Sequence, residues 1–113
     1  MNDRELLEMA AKAVGINRRY YGLHITGESG MINDDPDGGF WNPLTDDGDA
    51  LRLAVRLRID IEMYSDEVFC FRSRGIERSN AVEAWVDFNG DPDAATRRAI
   101  VKAAAVIGKG MKQ

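Results

Sequence analysis

Six aspartates stand within seventeen residues, from Asn33 to Asp49, and no lysine or arginine follows before Arg52. Carboxylates at that density are the raw material of a cation site. In NDDPDG, residues Asn33, Asp35, Asp37 and Gly38 take the first, third, fifth and sixth places of an EF-hand calcium loop. The template then fails, because its twelfth place needs a bidentate Glu and holds Leu44, and no helix precedes Asn33. A solvated turn is the plainer reading of Asp34, Asp35 and Asp37. In TDDGD, Asp46, Asp47 and Asp49 oppose the positive end of a helix and meet its free amides.

Other chemistry has less to work with. His24 is the only histidine and Cys70 the only cysteine, so zinc sites built on several His or Cys are excluded. A Cys70–His24 nucleophile pair is formally open. Cys70 within VFCF reads instead as a small core residue, and His24 within YGLHIT as a strand residue with a local hydrogen bond. The glycines at 27, 30, 38 and 39 fit neither a phosphate-binding loop nor a dinucleotide fingerprint. No catalytic group, metal or cofactor is assigned, and the chain is read as non-enzymatic.

Two binding surfaces remain. Asp34, Asp35, Asp37, Asp46 and Asp47, with Trp41 among them as an anchor, form an acidic contact surface suited to a basic partner. Trp41 has the alternative role of pinning its loop to the core. The second surface is Phe71, Arg72, Arg74 and Arg78, with Phe69 and Trp85 nearby, where arginines and rings on one sheet face would stack and neutralise single-stranded nucleic acid. Its alternative is aromatics facing the core and arginines solvating a turn.

The elements that must position these residues follow from periodicity. NDRELLEMAAKAVG is a helix capped by Asn2, with Leu6, Leu7, Ala10, Ala13 and Val14 inward, a Glu8–Lys12 pair outward, and Gly15 as its stop. INRRYYGLHIT is a strand and MIN a short partner. A helix spans Thr45–Leu57; its apolar residues cover most of its circumference, which predicts packing on more than one side and leaves Arg52 and Arg56 as the wet stripe. IDIEMY alternates Ile59, Ile61 and Met63 against Asp60, Glu62 and Tyr64. VFCFRS and AVEAWVDF complete three strands joined by short turns. Asp91 caps a final helix, Pro92–Ile107, which Gly108 stops. The expectation is one α+β domain over residues 1–113, in the order α-β-(β)-α-β-β-β-α: an antiparallel β-meander of three to five strands with three helices.

The chain has 113 residues, 44% hydrophobic and 30% charged, with a net charge of −4. That is the composition of a folded globular protein. Outside residues 33–49 the balance is +2, too little concentrated positive charge for an obvious DNA binder. No apolar run reaches membrane-spanning length, the N-terminal stretch lacks the apolar core of a signal peptide, and the single cysteine suits a reducing compartment. A cytoplasmic location is expected.

WNPLTDDGDALRLAVRL, with ELLEMAAKAVG upstream and DPDAATRRAIVKAAAVIG downstream, resembles a group of small proteins of tailed bacteriophages and prophages. In that group an N-terminal helix, a variable middle, a Trp-Asn-Pro-Leu-x-Asp-Asp-Gly-Asp-Ala segment and an Ala-rich final helix follow in order. The match covers roughly residues 5–14, 41–57 and 91–107, and Trp41–Leu57 is its specific part. The resemblance implies phage or prophage origin and action in the cytoplasm of a bacterial host; it brings no activity and no site residues. The expected function is therefore that of an accessory phage or prophage protein binding a host or phage macromolecule. The alternative is nucleotide or nucleic-acid binding by the arginine-bearing strands. Homodimerisation through the unpaired end of a meander is a further expectation.

Overall fold

Asn2 opens the first helix: its backbone is extended, and its side chain accepts a hydrogen bond from the Glu5 amide at 2.8 Å. The computed structural model describes residues 2–15, 18–21, 30–33, 40–72, 80–84 and 90–111. Helix α1 (Asp3–Ala13) buries Leu6, Leu7, Ala10 and Ala11. Gly15 follows it with φ of +71°, a conformation that costs glycine little. Glu8 pairs with Arg4 at 2.8 Å, and Lys12 donates to the Met111 carbonyl rather than to Glu8.

Strands β1 (Arg18–Tyr21), β2 (Gly30–Asn33) and β3 (Phe40–Trp41) form one antiparallel sheet in that order. Helix α2 (Asp47–Leu57) comes next. A second antiparallel sheet follows, with β4 (Asp60–Met63), β5 (Glu67–Phe71) and β6 (Asn80–Ala84) in that order, and α3 (Pro92–Gly110) closes the chain. The expected single meander of three to five strands is thus corrected. The described strands are divided between two sheets, and only the α+β class is kept. Period-two alternation marks a strand but does not choose its neighbour. Here α2 stands between the two sets, and β3 pairs only through Met31–Trp41 and Ile32–Phe40 before the chain turns into the helix.

Helix α3 is the centre of the packing. Asp91 caps it, accepting from the Asp93 and Ala94 amides at 3.0 and 3.2 Å, and Pro92 takes the first turn. Ala95, Ala99, Ala103, Ala104 and Ala105 are buried, and their small side chains let α1, α2, β5 and β6 approach the helix closely. Gly108 does not stop this helix; it lies within it, where a Cβ would overlap the Met9 carbonyl of α1. Ion pairs Arg98–Asp3 at 2.8 Å and Arg97–Asp47 at 2.7 Å fasten α3 to α1 and to the start of α2.

Candidate functional site

Two of the described aspartates, Asp46 and Asp49, are turned onto the backbone of their own segment. The Asn42 carbonyl accepts from the Thr45 and Asp46 amides at 3.1 and 2.9 Å, and its side-chain oxygen accepts from the Leu44 amide at 2.9 Å. Asp46 caps α2, taking the Gly48 and Asp49 amides at 2.8 and 3.2 Å. Asp49, a residue further in, is buried. Its Oδ2 accepts from the Asn42 amide at 3.0 Å and its Oδ1 from Arg52 at 2.8 Å. Asp47 holds Arg97, whose Nε also donates to the Leu44 carbonyl at 2.9 Å. Each of these carboxylates therefore has a structural task in starting α2 or joining it to α3.

Trp41 is 5% exposed and belongs to the core. It pins the segment and is not an exposed anchor. Asp34, Asp35 and Asp37, and half of the calcium-like loop with them, lie outside the described residues, as does His24. Among the described residues no three His, Cys, Asp or Glu side chains come together to hold a metal ion, and no helix is long and apolar enough to cross a membrane. Cys70 is fully buried, and burial pushes its thiol up to about 12, so it is no nucleophile at neutral pH.

The arginine-bearing surface is only partly described. Phe71 is half-buried, with its ring centroid 5.3 Å from that of Phe69. Arg72 is half-buried, and its Nε has no hydrogen-bond partner among the described residues. Arg74, Arg78 and Trp85 lie outside the described residues. Cross-strand pairing sets Asp60 beside Phe71 and Glu62 beside Phe69. The described part of that face thus puts carboxylates next to the rings, which opposes a polyanion.

The exposed feature that sequence reasoning missed lies between α2 and β4. Helix α2 buries Ala50, Leu53, Ala54 and Leu57. On its other side Leu51 and Val55, one turn apart, are 59% and 66% exposed. The expected packing on more than one side is corrected: the outer face carries these two apolar residues together with Arg52 and Arg56. After Leu57 the chain reverses through Arg58, which is left-handed at φ 57°. The Arg58 and Ile59 amides donate to the Val55 and Ala54 carbonyls at 3.3 and 2.9 Å, a Schellman turn.

Strand β4 does not bury the whole apolar side of its alternation. Ile59 is buried, but Ile61 and Met63 are 37% and 58% exposed. The register gives the reason. Ile61 stands opposite Cys70 and Met63 opposite Val68, and both partners are buried on the side where α3 packs. Ile61 and Met63 therefore lie on the helix-facing side of the sheet, beyond the cover of the helix layer. Two adjoining open grooves result. One is lined by Leu51, Ala54, Val55, Arg58, Ile59 and Ile61 with Asp60. The other is lined by Ala50, Leu51, Ile61, Met63, Thr96 and Ile100, together with Asp47, Asp93 and Arg97. Among the described residues of the expected acidic surface, Asp47 alone borders this feature. The signal in the sequence was the excess of apolar residues around α2.

On the outer side of β4, the Tyr64 hydroxyl donates to Glu62 Oε2 at 2.7 Å. That hydrogen bond, and then the charge of Glu62, hold the phenol above its ordinary value.

No protein-family model matches the chain, and neither a curated protein nor a solved structure matches it at a significant level.

Proposed function

We propose that the protein is a non-enzymatic accessory protein of a tailed phage or prophage, that it acts in the cytoplasm of the bacterial host, and that it binds a host or phage macromolecule through the apolar surface of α2 and β4. The observation that carries the binding reading is the group Leu51, Val55, Ile61 and Met63, large apolar side chains left in water around two adjoining grooves. Single exposed apolar residues need no explanation, but a contiguous set on neighbouring elements marks a contact surface. The origin rests on the resemblance of Trp41–Leu57 to the phage group. The hydrogen bonds of Asn42, Asp46 and Asp49 account for that segment as the start of a helix.

Affinity capture from a bacterial host lysate tests the reading, comparing wild type with the double variant Leu51→Asp/Val55→Asp and with Arg4→Gln on α1. A partner held by wild type and by Arg4→Gln but lost by the double variant is expected. Equal recovery by all three would remove α2 from the interface.

A further inference from the structure

We propose that the open edge of β4 receives an extended segment of a partner protein as an added strand, and that this segment alternates apolar side chains with lysine or arginine. The inference rests on the reading of α2 and β4 as a binding surface and names the chemistry of what binds there. Among the described residues β4 is hydrogen-bonded on one side only, to β5. The Tyr64 amide donates to the Glu67 carbonyl at 2.9 Å, which makes those two a hydrogen-bonded pair. Pairing alternates from there, so Glu62–Phe69 and Asp60–Phe71 also exchange hydrogen bonds with β5. Ile61 and Met63, the residues between, turn their N–H and C=O groups to the open edge. They are also the residues whose side chains line the grooves with Leu51. One stretch of backbone thus offers both the hydrogen bonds and the apolar contacts that strand addition uses.

Charge selects the occupant. A second copy of this chain, paired antiparallel across the same edge, must bring outward-facing residues against each other. Ile61 against Ile61 places Asp60 opposite Glu62, Ile61 against Met63 places Glu62 opposite Glu62, and Met63 against Met63, which sets Glu62 opposite Tyr64, places Asp60 opposite Asp66. Like charges directly opposite destabilise a strand pair, and charged side chains on an edge are a common guard against self-pairing. Asp66 and Glu67 extend the negative charge along the hairpin. A partner strand with lysine or arginine across from Glu62 turns that repulsion into attraction. Its intervening residues lie on the same side as Ile61 and Met63, beside Leu51, and are apolar.

The test uses the full chain and a blocked, fluorescently labelled peptide alternating valine and lysine, read by fluorescence anisotropy. Its counterpart carries glutamate in place of each lysine. Binding of the lysine peptide is expected, weaker by about tenfold or more for the glutamate peptide, and Glu62→Lys should reverse that order. Met63→Pro removes an outward N–H but no hydrogen bond to β5, so it should abolish binding with little change in melting temperature. Should Met63→Pro unfold the protein, the Glu62→Lys reversal still decides. Equal affinity for both peptides, or unchanged binding by a folded Met63→Pro, would overturn strand addition. A wild-type dimer in sedimentation equilibrium that Met63→Pro dissociates would overturn it in favour of a second copy. A lysate partner lost by Leu51→Asp/Val55→Asp but kept by folded Met63→Pro would overturn strand addition while the binding surface stands.

Discussion

Gly108 of α3 faces the Met9 carbonyl of α1 with no room for a methyl group between them. A Cβ at Gly108 would overlap the carbonyl oxygen and stand 2.8 Å from its carbon and 3.3 Å from the Ala13 nitrogen. The neighbours are backbone of a packed helix, so they cannot rotate aside. Gly108→Ala must separate α1 from α3 or unwind the end of α3, at a cost of about 2–3 kcal/mol. Urea denaturation measures this; a change below about 0.5 kcal/mol, the size of an ordinary surface substitution, contradicts the close approach.

The buried carboxylate of Asp49 ties the Asn42 amide to Arg52 across the start of α2. Asp49→Ala removes an acceptor from a buried N–H and should destabilise by about 1–3 kcal/mol. Asp49→Asn keeps an acceptor at that place and should lose less. Thermal unfolding of the two variants checks the order, and equal losses would contradict the role given to the Asn42 bond.

Burial raises the Cys70 thiol from 9.0 to about 12. Above the ordinary value the unfolded chain gives up this proton while the folded chain keeps it. The unfolded state then binds fewer protons, so stability that is fully present below pH 9.0 declines as pH rises toward about 12. Cys70→Ala should flatten that decline between about pH 8 and about pH 10.5 in urea midpoints, although the smaller side chain lowers stability at both. An unchanged slope in the variant would contradict the raised thiol. Native protein should also resist iodoacetamide near neutral pH.

Arg58 takes the left-handed position of the Schellman turn without being glycine. Arg58→Gly relieves a penalty of about 1–2 kcal/mol, partly offset by the greater freedom of glycine in the unfolded chain. A net gain of about 0.5–1 kcal/mol in chemical denaturation is expected. A loss would mean that the Arg58 side chain makes contacts worth more than the strain.

The helix starts were legible because capping is local. Asn2, Asp46 and Asp91 each accept from amides two or three residues ahead, and a carboxylate or amide before an apolar run shows that directly. Gly108 carries an ambiguous signal, because the same residue that ends helices also permits helices to touch, and only Met9 distinguishes the two roles. The division into two sheets was hidden for a related reason, since alternation along β4 names neither its neighbour nor the face that helices cover. Ile61 and Met63 show this best: they sit on the core side in pattern, and in water in fact. The apolar excess of α2 was visible in Leu51 and Val55, but it pointed equally to internal packing or to a contact surface. Trp41 divided in the same way, and its burial settles it as core.

The most direct measurement is the capture comparison made together with stability. Leu51 and Val55 are exposed, so Leu51→Asp/Val55→Asp should change the unfolding free energy by no more than about 1 kcal/mol. The same variant should lose the macromolecule that wild type and Arg4→Gln both retain. A double variant that is equally stable and keeps that partner would contradict the account of α2 and β4 as the surface through which this protein acts.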